Sequence, residues 1–98
     1  MATPAGLRLR PTKAFDRDLK RVSKRGDDRD KLRTVIERLR LGAVLEPRHR
    51  DHALGGDWQG WRDCHVEPDW LLIYRVDEGA GELVLGRTDT HADLFEYR

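Results

Sequence analysis

The sequence predicts a small α+β domain of β-α-α-β-β-β order, with a helical hairpin packed on one face of a mainly antiparallel sheet. Three observations support this prediction. Two segments with helical periodicity lie close together in the first half of the chain, three short segments with strand character follow, and an alternating apolar and basic segment comes first. With 98 residues, we expect one domain over residues 1–98.

The first strand and the first helix are predicted from the N-terminal third. Residues 7–10 alternate Leu and Arg, as in a half-buried strand. Pro11 then interrupts the pattern, and Thr12 is a suitable N-cap for a helix that stops at Gly26. The apolar stripe of this helix consists of Phe15, Leu19 and Val22.

The second helix follows after only two or three residues, which predicts an antiparallel helical hairpin. Asp27 or Asp28 caps this helix, and Gly42 closes it. Its apolar stripe consists of Leu32, Val35, Ile36 and Leu39.

The second half of the chain is predicted to be a sheet preceded by an ordered loop at residues 43–57. Strands are expected near residues 59–66, 70–76 and 82–88, and a short helical turn or packed tail at 91–97. The segment 70–76 is apolar on both faces, which predicts the central strand of the sheet.

The net charge of +1 conceals an asymmetry between the two halves of the chain. Residues 1–40 contain 13 Lys and Arg against 6 Asp and Glu, whereas residues 41–98 contain 6 against 12. The basic helical half favours a polyanionic or acidic partner, although solvated helix faces give the same composition. A single cysteine, no signal-peptide pattern and no apolar run near the ~20 residues of a membrane span predict a cytoplasmic protein without a membrane partner.

The candidate chemistry lies in the second half of the chain. Asp63 and His65 are two residues apart on a predicted strand and therefore share one face. An acid beside an imidazole suits proton transfer near neutral pH, although such a pair can equally serve only to hold a strand. His52 precedes this pair in a polar loop, and Arg87 and His91 follow it. The pair, Arg87 and His91 come from adjacent strand ends and could converge on one anionic group.

Other kinds of site are disfavoured. The histidines, acids and the cysteine form no recognised zinc pattern, so no metal and no other cofactor is predicted. Strand alternation places Cys64 on the face opposite His65, which predicts a packing residue rather than a nucleophile. Gly55-Gly56 lacks the Lys-Ser/Thr and the helix start of a phosphate loop, which disfavours nucleotide hydrolysis.

A dense, ordered series of residues fills the second half of the chain. It reads Asp51-His52-Ala53-Leu54-x-Gly56-x-Trp58-x-Gly60-Trp61-Arg62-Asp63-x-His65-Val66-x-Pro68-Asp69-Trp70-Leu71-Leu72-Ile73-Tyr74, followed by Arg87-Thr88-x-Thr90-His91-x-x-Leu94-Phe95. This series resembles the YafQ family of bacterial toxins, which belongs to the RelE/ParE superfamily of type II toxin–antitoxin systems. The predicted order of elements is also that of RelE-like toxins.

The resemblance implies a ribosome-dependent mRNA endonuclease, or mRNA interferase, that cuts the codon in the ribosomal A site. It implies a cognate antitoxin, often with a ribbon-helix-helix DNA-binding domain, and a toxin–antitoxin complex that binds operator DNA. By motif position, the functional residues are His52, Asp63, His65, Asp69, Arg87, His91 and Phe95. Trp70 lies beside Asp69 in the motif and is either structural or stacks on a base of the substrate.

RNA cleavage without a metal uses the ribose 2′-hydroxyl as nucleophile, and it needs a base, an acid and a cation for the phosphate. The roles expected are acid–base catalysis for His52, His65 and His91, phosphate binding for Arg87, orientation of the imidazoles for Asp63 and Asp69, and base stacking for Phe95. Which histidine is the base and which is the acid stays open.

Asp89 departs from the pattern, because the family usually has glycine at this position. If that glycine has a positive φ, aspartate is strained there, and its carboxylate also lies near Arg87 and His91 and could weaken the phosphate clamp. Two alternatives stay open. One is a ParE-like or catalytically silent homologue that binds a protein such as a gyrase, although such a protein would not need His52, His65 and His91 together. The other, which Asp89 keeps open, is a domain that only holds its antitoxin and operator DNA.

Overall fold

The computed structural model describes residues 6–24 and 28–96. Two helices pack on a five-stranded sheet, which confirms the predicted fold class. The elements are β1 (Arg8–Pro11), α1 (Lys13–Lys24), α2 (Arg29–Arg40), β2 (His52–Ala53), β3 (Arg62–Glu67), β4 (Trp70–Asp77) and β5 (Glu82–Asp89). Short 3₁₀ turns lie at Pro47–His49 and Gly56–Trp58, and a π-helical turn at Ala92–Glu96 confirms the expected C-terminal turn.

The strands lie in the order β1-β5-β4-β3-β2, so the predicted central position of β4 is confirmed. β1 runs parallel to β5, and the other neighbouring strands are antiparallel. β2 was not predicted; it lies within the segment expected to be a loop, and it adds one strand to the predicted order. Its two residues are too few to show the alternation by which strands are recognised in a sequence.

The expectation of a half-buried first strand is wrong in one respect. β1 forms as a strand, but its four residues are exposed, including Leu9 at 47%. Because β1 is the edge of the sheet and pairs only with β5, its side chains receive little cover.

Both helices begin at the predicted caps. The Thr12 hydroxyl accepts the Phe15 N–H at 3.1 Å and donates to the Gly86 carbonyl at 2.9 Å, which joins the start of α1 to β5. The Asp28 carboxylate accepts the Asp30 N–H at 2.9 Å, whereas Asp27 and Gly26 lie outside the described residues.

The predicted end of α2 at Gly42 is also confirmed. Gly42 has a φ of 77°. The Ala43 N–H bonds the Arg38 carbonyl at 2.9 Å and the Gly42 N–H bonds the Leu39 carbonyl at 3.1 Å, which is a Schellman motif. Within the described residues, no helix is long and apolar enough to cross a membrane.

The sheet separates two apolar clusters. The larger lies between the helices and one face of the sheet, and it contains both predicted helical stripes together with Cys64, Leu72 and Leu83. The smaller lies on the opposite face around Leu71, Ile73 and Leu94. Partly buried side chains packed on this smaller cluster are Leu54, Trp58, Trp61 and Phe95.

Candidate active site

β3 presents Asp63 and His65 on the sheet face that does not carry the helices. Asp63 pairs with Ile73 and His65 with Leu71, and these partners form the centre of the smaller cluster. The predicted common face of the two residues is therefore confirmed. Cys64 points the other way into the main core with no exposed surface, and burial raises the pKa of its thiol, so the predicted packing role is confirmed as well.

β2 brings His52 opposite Asp63. The His52 Nδ1 lies 2.6 Å from the Arg50 carbonyl, and because a carbonyl only accepts, Nδ1 carries a proton. The His52 Nε2 lies 3.8 Å from the Asp63 Oδ2, which is close enough for electrostatic attraction but beyond hydrogen-bond distance. Arg50 is held in the left-handed region with a φ of 46°, which lets its carbonyl turn toward the ring.

His65 is held in a similar way. Its Nδ1 lies 3.2 Å from the Pro68 carbonyl in the turn after β3, so it donates to that oxygen and leaves Nε2 as the site for proton exchange. Asp69 is exposed in the same turn. Among the described contacts, the ring of His65 is oriented by the Pro68 carbonyl rather than by the Asp69 carboxylate.

Phe95 lies on the π-helical turn that follows β5, and His91 immediately precedes this turn. Their ring centroids are 5.1 Å apart. The turn is anchored by Leu94, which is buried against Leu71 and Ile73. This packing brings the C-terminal residues back to the face on which Asp63 and His65 lie.

Asp63 is the centre of the site. Only 4% of its surface is exposed, and burial raises its pKa above the ordinary value. Three imidazoles lie near enough to oppose this shift electrostatically, those of His52, His65 and His91. The structure therefore brings the three predicted histidines around one buried carboxyl group.

Arg87 lies on β5 in register with Ile73, in the same row of the sheet as Asp63. Its guanidinium is held by Asp18 on α1, with Nε–Oδ2 at 2.6 Å and Nη2–Oδ1 at 3.2 Å. These hydrogen bonds raise the pKa of Arg87, which keeps it charged. Asp18 occupies one edge of the guanidinium, and no described residue accepts a hydrogen bond from Nη1.

Asp89 is not strained, contrary to the possibility raised by the sequence. Arg50 is the only described non-glycine residue with a positive φ, so Asp89 has an ordinary strand conformation. The Asp89 side chain is fully buried, accepts the Thr90 N–H at 2.8 Å and pairs with Arg21 at 2.7 Å. Its nearness to Arg87 is confirmed, because its charge contributes to the raised pKa of that guanidinium.

The prediction that Trp70 binds substrate is corrected by its position. Trp70 is 4% exposed in the main core, on the helix side of the sheet, so it cannot stack on a base. Its indole N–H donates to the Thr88 hydroxyl at 2.8 Å, and that hydroxyl donates to the Leu71 carbonyl at 2.8 Å. The structural alternative for Trp70 is the one that the geometry supports.

Four residues near the site received no role from the sequence. Trp58 packs edge-on against Phe95 at 6.2 Å and against Trp61 at 6.3 Å, and thereby supports the aromatic side of the site. Asp18 and Arg21 lie almost 70 positions from Arg87 and Asp89, which local patterns do not connect. One signal was present: Asp18 stands three residues after Phe15 and four before Val22, within the apolar stripe of α1.

The described part of the chain contains no group of three or more His, Cys, Asp or Glu side chains arranged to hold a metal ion. His52 and His91 are exposed and His65 is half-buried, so solvent or a bound polymer reaches all three imidazoles. The arrangement offers proton donors and acceptors near neutral pH beside a charged guanidinium.

Comparison with known proteins agrees with this geometry. A profile of the family described as bacterial toxin of type II toxin–antitoxin system, YafQ, matches residues 7–96. The mRNA interferase toxin YafQ of Escherichia coli strain K12 is 42% identical over 82 residues, covering 83% of this chain and 87% of the relative.

Two solved structures show the same fold. A metal-bound toxin from Helicobacter pylori has a TM-score of 0.86 at 37% identity, covering 91% of this chain and 99% of that chain. A chain of the E. coli DinJ-YafQ toxin-antitoxin complex has a TM-score of 0.80 at 39% identity, covering 89% of this chain and 94% of that chain. Because the family profile and these relatives span most of its length, the chain belongs to the YafQ family of bacterial toxins of type II toxin–antitoxin systems.

Proposed function

We propose that this chain is a ribosome-dependent mRNA endonuclease that cleaves mRNA in the ribosomal A site by general acid–base catalysis, with the ribose 2′-hydroxyl as nucleophile. The observation that carries the proposal is the convergence of three imidazoles on the buried carboxyl group of Asp63. The name mRNA interferase, which the E. coli relative bears, supports the same activity.

The reaction needs two proton transfers. One group takes the proton of the 2′-hydroxyl as its oxygen attacks phosphorus, and another protonates the departing 5′-oxygen as the P–O5′ bond breaks. The products are a 2′,3′-cyclic phosphate and a 5′-hydroxyl. His52, His65 and His91 are proposed for these transfers, because histidine is populated in both protonation states near pH 7.

The remaining site residues are proposed to bind and orient the substrate. Arg87 supplies positive charge for the phosphate oxygens, which become more negative as the transition state forms. Asp63, whose Oδ2 lies 3.8 Å from the His52 Nε2, and Asp69, in the exposed turn after β3, are proposed to orient the imidazoles. Phe95 packs beside His91 and is proposed to stack on a base next to the scissile phosphate.

A cognate antitoxin is the proposed protein partner. The E. coli relative occurs in a complex with its antitoxin, DinJ, which supports this partner for the present chain. We propose that the antitoxin carries a ribbon-helix-helix DNA-binding domain and that the complex binds operator DNA. Because the proposed target, the ribosome, is in the cytoplasm, we propose that the active toxin acts there.

The test is primer-extension mapping of a reporter mRNA with purified ribosomes. The parent protein is expected to produce new 5′ ends at codon-phased positions, and none without ribosomes. His65→Ala and His91→Ala should lower cleavage by about 100-fold or more while retaining the fold. Val44→Ala, which changes a side chain that is 93% exposed, serves as the control.

This assay and a measurement of growth inhibition together separate the alternatives. A folded parent protein that leaves mRNA intact on active ribosomes would refute the proposed nuclease. Growth inhibition that survives His65→Ala would instead support a toxin that acts by binding a protein. Toxin stripped with a chelator and returned to the Mg²⁺ that ribosomes need should cleave as fast as untreated toxin, with no acceleration by added Cu²⁺ or Zn²⁺.

A further inference from the structure

The carboxylate of Asp18 joins α1 to the end of β5. Asp18 is 2% exposed and accepts four hydrogen bonds. Two come from Arg87, one comes from the Thr88 N–H at 3.1 Å, and one comes from Arg21 Nη2 at 2.7 Å. A buried carboxylate with this many donors has a fixed position.

The location of Asp18 follows from the different lengths of two strands. The pairing of β1 with β5 ends where Pro11 lies opposite Leu85, whereas β5 continues to Asp89. The Thr88 N–H therefore has no partner on β1, and the Asp18 carboxylate accepts its hydrogen bond in place of a strand carbonyl. Arg87 is the residue immediately before this junction.

Asp89 adds a second carboxylate to the same region. It is fully buried, and Arg21 contacts it through Nε at 2.8 Å and Nη2 at 2.7 Å. Arg21 therefore lies between Asp18 and Asp89, and the charges alternate in the order Arg87, Asp18, Arg21, Asp89. Within this network, Arg21 is the residue that both carboxylates share.

We propose that Asp18 is a positioning residue for Arg87, and that Arg21 keeps the charge of Asp89 from drawing the Arg87 guanidinium away from Asp18. Asp18 then determines which edge of Arg87 stays available for the substrate phosphate. Asp89 is a fully buried carboxylate that pairs with Arg21, so Arg21 and Asp89 act as a unit: the arginine is required because the aspartate is present.

This inference rests on the proposed role of Arg87 in cleavage, so a measurement independent of cleavage comes first. In ¹⁵N NMR spectra, the Arg87 Nε–H is expected to exchange slowly with solvent in the parent, because it donates to buried Asp18. Asp18→Asn should speed this exchange at least tenfold. If thermal unfolding shows that both proteins are folded, equal exchange rates in the parent and in Asp18→Asn would overturn the positioning role. This result does not depend on whether the protein cleaves mRNA.

The pairing of Arg21 with Asp89 is tested by a double-mutant cycle of ribosome-dependent cleavage. Arg21→Gln is expected to lower kcat about tenfold with little change in KM, but less than twofold when Asp89→Gly is also present. The Arg87 Nε–H should exchange faster in Arg21→Gln and recover in the double variant.

Two outcomes are distinct, and one variant serves as a control. An equal loss of kcat in both backgrounds would overturn the paired role and show that Arg21 acts by itself, for example on RNA. As the control, Arg33→Gln removes an exposed arginine of α2 that is also paired with an aspartate, Asp30, and shows what the loss of a paired helical arginine away from the site costs. If the parent cleaves no mRNA, the proposed function fails, while the exchange measurement still decides whether Asp18 positions Arg87.

Discussion

Asp63 combines burial with an oxygen that receives no hydrogen bond. Its Oδ1 is buried without a partner among the described residues, and its Oδ2 has only the distant contact with His52 at 3.8 Å. Such a group costs stability, of the order of 1–3 kcal/mol when a buried acceptor is left unpaired. A position that destabilises the fold and lies beside three imidazoles is typical of a functional residue.

The pH dependence of stability follows from the same carboxyl group. Burial raises the pKa of Asp63, and the imidazoles of His52, His65 and His91 only partly offset this effect. The folded state therefore binds the Asp63 proton more tightly than the unfolded state. The contribution to stability is complete below the unfolded pKa of about 3.9 and is lost as the pH rises through the folded pKa.

Asp63→Asn is expected to remove this loss of stability and also to remove function. The free energy of unfolding, variant minus parent, should rise between pH 4 and pH 7, because only the parent has a buried carboxyl group that must ionise over this range. Cleavage on ribosomes should fall at least tenfold. Urea unfolding at several pH values checks the first expectation. A variant that cleaves normally and is less stable at pH 7 would show that Asp63 serves the fold alone.

At the scale of elements, patterns in the sequence were sufficient to predict the long and regular helices and strands. The stripes of α1 and α2, the caps Thr12 and Asp28, and the central position of β4 were all predicted, because each depends on residues close in sequence. β2 was missed because it has only two residues. The contact of α1 with the end of β5 was missed because Asp18 and Arg87 are distant in sequence.

A bulge in β5 was also missed, because Gly86 lies in an otherwise ordinary strand pattern. The register shifts between the pairs Ile73–Arg87 and Tyr74–Leu85, which leaves Gly86 without a partner on β4. Trp61 packs directly on this glycine, and a Cβ there would lie 2.6 Å from the Trp61 Cζ3. The bulge therefore moves the Arg87 side chain to the sheet face opposite that of Leu85. It also leaves room for the Trp61 ring to pack on Gly86.

Gly86→Ala is expected to lower the free energy of unfolding by about 1–3 kcal/mol, because the methyl group must displace a rigid indole ring. Gly79→Ala is the matched control, since its Cβ would meet only Asp77 Oδ1 at 3.6 Å. The control should change stability by less than about 0.5 kcal/mol in urea unfolding. Equal effects of the two substitutions would contradict the close packing of Trp61 on the bulge.

At the scale of the whole molecule, the charge asymmetry of the sequence corresponds to a basic surface on α1. Lys13, Arg17, Lys20 and Lys24 are all exposed, and their spacing places them along one side of α1. No acidic side chain of the described residues forms an ion pair with them, whereas Arg33 and Arg40 of α2 pair with Asp30 and Glu37. The exposed side of α1 is therefore the part of the helical half that favours a polyanion.

This surface predicts salt-dependent binding to ribosomes, measured in a His65→Ala background so that the mRNA stays intact. Arg17→Gln and Lys20→Gln should each weaken binding and reduce the slope of log K against log salt by about 0.7–0.9, as expected when one phosphate contact is lost. Arg33→Gln should leave the slope unchanged, because Asp30 already neutralises that arginine. Equal slopes in all variants would assign the basic residues of α1 to solvation alone, whereas slopes reduced only by the α1 variants would locate the RNA contact on α1.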